Sequence, residues 1–406
     1  MSERDVAVTG LGLVTPAGHG PEAFWDGLAA CRSTAARDPR LAGLPVDLSC
    51  PVEDPDVAAV LGRRLAWRTD RFIHLALLAA RDAVRDAALT PGEWEAPRVA
   101  VVIGTGNGGG DQQHRDHARL AAGRPGSVSP TSLPRSLPNM AAGEVSTDLQ
   151  ALGPSLSVST ACASGSTALG VARDLLRSGS CDIAVAGGTD TARAPVAAVG
   201  FAQLGALSRA HEPHAASRPF DADRDGFVLG EGAGMLVLER AEHARARRAP
   251  LRAYLAGYGA AADGHHHTDP SPHGEGLQRA MAAAVRDAGL DPFDVHHVNA
   301  HATSTRTGDR AEAHALRKFF GTPPPVTAVK SVTGHTLAAS GAVEAAATVL
   351  ALQHQHIPPT ANLDRIDPEI DLDVVTTAPR PCRMTAALSN SCGFGGQNAA
   401  LLFRAA

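Results

Sequence analysis

Short apolar runs recur along the chain, and between them lie longer segments whose apolar positions repeat with helical spacing. The runs "DVAVTG", "RVAVVIGTG", "SLSVST", "CDIAVAGG", "MLVLER", "HHVNAH", "VTAV" and "NAALLF" have the length and the bounding turns of buried strands. Residues 70–89, "DRFIHLALLAARDAVRDAAL", read as a helix opened by an Asp70 cap, and residues 165–178 as a buried helix carrying Leu169, Leu175 and Leu176. Such alternation predicts an α/β fold with buried sheets. A basic, proline-containing stretch at 243–254, "HARARRAPLRAY", is the natural seam between two halves, residues 1–248 and 249–406. Residues 31–60 carry little pattern and read as loop and short helix.

Composition narrows the function classes. With 406 residues, 44% of them hydrophobic, and a net charge of -5, the chain can build a large core in two domains or two similar halves. No basic stripe points to nucleic acid, and no long uncharged run is fit to span a bilayer. The start, "MSERDVAVTG", passes straight from charge into a strand-like run with no signal-peptide pattern, which predicts a cytoplasmic protein. Six cysteines (31, 50, 162, 181, 382 and 392) are scattered without zinc or redox spacing, so free thiols in a reducing compartment fit best. Only two lysines occur, Lys318 and Lys330, which draws attention to each.

Candidate chemistry begins at "VSTACASGSTALG", residues 158–170, where Cys162 falls between a strand and a helix start. Backbone N–H groups and the macrodipole favour an anion there, and lowering an ordinary thiol pKa by about 1.5 units would leave it roughly half thiolate at neutral pH. Ala161, Ala163, Ser164 and Gly165 would let a substrate approach closely. A small buried structural cysteine is the competing reading. Further on, His301 follows a strand into a hydroxyl-rich turn, "NAHATSTRTGD", and His335 lies in "VKSVTGHTLAASGAVE" before a small-residue helix. A glycine-rich turn, "NSCGFGGQNA", comes near the end.

These stretches together with "STACASG", in this order and at these separations, resemble the elongating β-ketoacyl-acyl carrier protein synthases of bacterial type II fatty-acid and polyketide systems. The likeness runs from "VAVTGLGLVTPAG" through "ASRPFDADRDGFVLGEGAGMLVLE" to "NAALLF" and is weakest at 31–60. The resemblance implies a thiolase-like fold, two similar βαβ-rich halves in five αβαβα layers, with the nucleophile in the first half and both histidines and the GFGG turn in the second. It also implies a homodimer or a heterodimer with a chain-length-factor-like subunit, an acyl carrier protein as partner, and no bound cofactor or metal, since substrates ride on a phosphopantetheine arm.

Residue by residue, the resemblance makes Cys162 the nucleophile and His301 and His335 the pair that stabilises the enolate formed by decarboxylation of malonyl-carrier protein. Lys330, paired with Glu344, would order the site around His335. The N–H groups of Cys162 and Phe394 would hold the second oxyanion, with Gly393, Gly395 and Gly396 shaping that turn. Thr303 and Thr305 would bind the pantetheine amides, Asn107 would line the acyl pocket, and Asp263 and His266 would belong to a gating loop. Ala302 replaces a usual Gly, Cys392 a usual Phe, and Asn107 is polar where an apolar residue is common. These departures touch acyl-chain preference and, with the arginine-rich composition, lean towards a specialised polyketide or polyene pathway.

Other signals weigh less. "GTGNGG" at 104–109 matches a dinucleotide fingerprint, but the segment after it lacks a buried helical face and no acid stands at the ribose distance. "DGHHHTDPSPH" at 263–273 could hold a metal, yet three adjacent histidines do not easily converge on one ion. Arg63, Arg64, Arg68 and Arg71 form a cationic cluster that either meets an acidic carrier protein or is a solvated face. Two rival functions share the fold: a two-cysteine thiolase-type CoA acyltransferase using Cys392, and a non-catalytic chain-length-factor-like partner.

Overall fold

The computed structural model describes residues 5–53, 56–191 and 193–406. The first half contributes β1 (Val6–Thr15), β2 (Val99–Gly104), β3 (Ser155–Val158), β4 (Ile183–Thr191) and β5 (Leu229–Arg240). The second contributes β6 (Ala253–Ala262), β7 (Val298–Asn299), β8 (Val326–Thr327), β9 (Ala386–Gly393) and β10 (Gln397–Ala405). Their spatial orders are β3-β2-β4-β5-β1 and β8-β7-β9-β10-β6, so each half reads third, second, fourth, fifth, first. Directions match too: the first two pairings of each are parallel and the last two antiparallel. The halves meet where β1 pairs antiparallel with β6, Val6 opposite Leu255 and Val8 opposite Ala253.

Six helices complete the layers: α1 (Arg71–Asp86), α2 (Met140–Leu149), α3 (Ser164–Arg177), α4 (Glu275–Asp287), α5 (Arg306–Phe320) and α6 (Ser340–His354). α6 is buried from Ser340 to Leu352, as its small apolar residues on every face require of a helix between two sheets. It touches β5 and β9, and α3 beside it touches β4 and β10, so both occupy the central layer. α1 and α2 cover the outer face of the first sheet, while α4 covers that of the second with α5 against it. The result is αβαβα.

Glycine sets the close approach of the two central helices. A Cβ on Gly165 would stand 2.7 Å from the Ala342 nitrogen, and one on Gly341 would stand 2.4 Å from Ser166 Oγ. The starts of α3 and α6 are thereby held side by side, and the site described below grows at that point.

Several sequence expectations change. Asp70 does cap its helix, accepting the Arg71 N–H at 2.8 Å, but the helix stops at Asp86 because Ala88 turns left-handed (φ 51) and the Leu89 N–H returns to the Val84 carbonyl. The stretch 31–60 contains strands Ala36–Arg37 and Leu48–Cys50, the latter pairing parallel with β5. β6 went unforeseen because "AYLAGYGAAA" lacks β-branched residues; its Gly257 and Gly259 instead admit α4, whose Ala284 and Ala280 oxygens would meet an added Cβ at 2.1 and 2.0 Å. The arginine cluster is partly internal: Arg71 forms a two-pronged pair with buried Glu231, and Arg68 pairs with Glu144. Arg63 and Arg64 remain exposed. Among the described residues no helix is long and apolar enough to cross a membrane.

Candidate active site

Cys162 sits in the turn between β3 and α3, two residues before the helix begins. Ala161 before it is left-handed (φ 50), a strained conformation for an L-residue, and the turn is fastened by Ser164, whose Oγ accepts the Thr160 N–H at 2.9 Å. His335 occupies the corresponding place before α6. Its N–H donates to the Val228 carbonyl and its own carbonyl accepts from Gly230, so the entry to β5 pins it on both sides. The imidazole Nε2 lies 3.1 Å from Cys162 Sγ, Nδ1 lies 3.0 Å from Ser340 Oγ, and the Phe227 ring packs edge-on at 5.2 Å.

His301 follows β7 and meets His335 edge to face, ring centres 5.5 Å apart. Glu312, on α5, holds its backbone: the carboxylate accepts the His301 N–H at 2.9 Å and the Ala302 N–H at 2.7 Å. Lys330, buried and ion-paired with Glu344, donates to the His301 carbonyl at 2.6 Å and faces His301 Nδ1 at 3.3 Å. This corrects the expectation that Lys330 orders His335. Lysine attends His301, and Ser340 attends His335. Glu312 and Ser340 were missed in the sequence; the signal was a polar residue on the next helix, eleven and five positions on.

The electrostatics of the site also correct the expected thiolate. Burial pushes the Cys162 thiol up to about 12, against the opposing pull of the Lys330 charge and the Phe394 N–H. Burial, then Lys330, holds His335 well below its usual value; burial, Lys330 and His335 do the same to His301. The resting site is therefore a neutral thiol beside two neutral imidazoles. An ammonium has only donors to offer, so His301 Nδ1 presents its lone pair to Lys330 and the ring proton sits on Nε2.

These groups line a cavity of about 330 Å³ together with Thr303, Thr305, Gly393, Phe394 and Cys392. The two threonine hydroxyls lie 3.0 Å apart. The Phe394 N–H is bonded to Cys162, and Gly393 is required because an added Cβ would stand 2.5 Å from the Thr160 oxygen. Ala302 also lines the cavity, at 1% exposure.

Four predicted residues are placed differently. Asn107 is exposed in the loop after β2, outside the cavity of this chain, and its N–H points back to Asp190. Gly395 and Gly396 (φ 82 and 69) shape the turn from behind. Gly395 donates to the His267 carbonyl, and Gly396 accepts from the N–H of Asp263. Asp263 does line the cavity, with its carboxylate held by Asn398 and Ser271, so the 263–271 loop and the glycine turn are laced together. His266 is exposed, packs against His267 and caps its own loop through Nδ1, 3.1 Å from the Asp269 nitrogen. Among the described residues no three His, Cys, Asp or Glu side chains group to hold a metal.

Comparison with known proteins agrees with this geometry. Residues 3–244 match the family model described as Beta-ketoacyl synthase, N-terminal domain, and residues 252–364 match Beta-ketoacyl synthase, C-terminal domain. A 3-oxoacyl-acyl-carrier-protein synthase 2 from a Synechocystis species is 42% identical, over 100% of this chain and 99% of that protein. Among solved structures, the ishigamide ketosynthase/chain length factor superposes with a TM-score of 0.93 at 34% identity, covering 100% of both chains. A ketosynthase bound to the hexaketide, in complex with its type II polyketide acyl-carrier protein, gives 0.92 at 32% identity over 99% of this chain and 100% of that one.

Proposed function

Because the chain belongs to the β-ketoacyl synthase family, we propose that it extends an acyl chain by two carbons through decarboxylative Claisen condensation with malonyl-acyl carrier protein. It is a β-ketoacyl-acyl carrier protein synthase with a thiolase-like fold. The observation that carries the reaction is the meeting of Cys162, His335 and His301 on one cavity, with Nε2 of His335 within hydrogen-bond reach of the thiol.

In the first half-reaction Cys162 Sγ attacks the thioester carbonyl of an acyl-carrier protein. The carbon–sulfur bond to the phosphopantetheine arm breaks, and the thiol proton passes to the departing sulfur. Because burial pushes the Cys162 thiol up, its proton leaves as the new carbon–sulfur bond forms and not beforehand. Malonyl-carrier protein then loses carbon dioxide. The enolate oxygen is received by the Nε2 protons of His301 and His335, and the nucleophilic carbon attacks the acyl-Cys162 carbonyl. The N–H groups of Cys162 and Phe394 hold that second oxyanion until the carbon–sulfur bond breaks and Cys162 recovers a proton. Thr303 and Thr305 serve the pantetheine arm. The scheme calls for no resident cofactor.

Neither rival explains the cluster as well. A chain-length-factor-like partner has no use for a thiol and two imidazoles converging in one cavity. A thiolase-type acyltransferase would use Cys392 as an acid–base and would leave the second imidazole on the cavity without a task. We place the enzyme in a specialised type II polyketide or polyene pathway, a reading supported by the full-length likeness to a type II polyketide ketosynthase. The partners we assign are an acyl carrier protein and a second subunit, a copy of this chain or a chain-length-factor-like relative.

The test is intact-protein mass spectrometry after incubation with a panel of acyl-carrier proteins, followed by malonyl-carrier protein. An acyl mass on Cys162 that disappears as a β-ketoacyl product forms is expected, and the preferred acyl group reports the pathway. No adduct on Cys162 with any acyl-carrier protein would overturn the reading.

A further inference from the structure

Asp190 is the penultimate residue of β4, and its side chain is fully buried. Its carboxylate accepts N–H bonds from three segments: Gly106 at 3.2 Å and Asn107 at 3.4 Å in the loop after β2, the neighbouring Thr191 at 3.0 Å, and Ala338 at 3.3 Å in the turn leading into α6. Among the described residues no basic side chain pairs with it. A buried carboxylate that accepts from four backbone N–H groups ties together the segments that carry them, and an apolar replacement would orphan all four. Its contribution is geometric.

Ala338 lies between His335 and Ser340, whose Oγ faces His335 Nδ1. Leu337, just before it, is left-handed (φ 49) and lines the cavity. A non-glycine residue stays in that conformation only when its surroundings hold it there. The bond from Ala338 to Asp190 fastens this strained turn from the side of the first half. The same carboxylate reaches the exposed 106–107 loop, where Gly106 leaves just enough room: an added Cβ would stand 3.0 Å from Asp190 Oδ2.

We propose that Asp190 is a positioning residue that clamps the His335–Ser340 turn to the Gly106–Asn107 loop and so keeps the His335 ring on Cys162. This rests on the reading of Cys162 and His335 as reacting groups.

Two variants test it, Asp190→Asn from inside and Gly106→Ala from the surface. Condensation kcat of Asp190→Asn should fall about tenfold or more, while KM for malonyl-acyl carrier protein changes less than about threefold, as expected when a reacting group is misplaced without loss of substrate contacts. Gly106→Ala presses on the same carboxylate and should lower kcat in the same sense, by about threefold or more. Unchanged kcat in a folded Asp190→Asn, or a loss confined to KM, overturns the proposal; if that variant does not fold, Gly106→Ala decides it by the same criteria. A wild-type enzyme that takes no acyl group on Cys162 overturns the underlying reading as well, whereas normal wild-type turnover with unaffected variants overturns this proposal alone.

Discussion

Lys330 Nζ donates to the His301 carbonyl at 2.6 Å and faces the Nδ1 of the same residue at 3.3 Å. One ammonium thus fixes both the backbone and the ring of His301, and its charge helps keep both imidazoles neutral. Glu344 holds the ammonium in place, so two buried groups set a single N–H donor on the cavity.

Replacing Lys330 by Ala leaves the Glu344 carboxyl buried without its partner, and should cost about 3–5 kcal/mol of stability, measured by urea unfolding. Lys330→Met combined with Glu344→Leu should recover most of that stability but not the condensation rate. Recovery of both would show that the pair serves only the fold.

Cys162→Ala should abolish acyl loading, seen as loss of the adduct mass, and reduce condensation by at least about 10³-fold. His301→Ala or His335→Ala should each remove one enolate donor, lowering carbon dioxide release from malonyl-carrier protein by about 10²–10³-fold.

Cys392→Ala should retain most condensation activity. Cys392 lines the cavity, but the proposed route never uses its thiol. A loss comparable to that of Cys162→Ala would restore the thiolase reading.

Far from the site, Glu239 on β5 is buried, yet hydrogen bonds from Arg247, His243 and Thr9 outweigh that burial and hold its carboxyl at about 2. A depressed carboxylate contributes stability that is fully present above its unfolded value of 4.5 and is lost as pH falls towards 2. Glu239→Gln should therefore cost about 3 kcal/mol at pH 7, and the gap to wild type should close between pH 4.5 and pH 2. Denaturant midpoints across that range measure it, with turnover at pH 7 unchanged.

The strands richest in Val, Ile and Leu, such as β2 and β5, were legible in the sequence because they are buried among apolar neighbours and keep a plain pattern. β9 was not, since its Ser389, Asn390 and Ser391 look like loop residues although all three are buried. Cys162, His301 and His335 could be singled out by the turns they occupy and by the resemblance. Which helper belongs to which histidine could not, because Lys330 and Ser340 lie five residues either side of His335 and only the fold sends one of them across to His301. The direction of the Cys162 shift was missed for a related reason: a helix start is a local feature, while the burial that raises the thiol comes from distant segments closing over it.

The matching strand orders of the two halves divide the labour of the cavity. Cys162 and His335 stand at equivalent stations, each in the turn before a central helix, so one half presents the sulfur and the other an imidazole across a pseudo-dyad. The frame is complete without the sulfur, so a chain of this architecture stripped of its thiol keeps the shape of its counterpart.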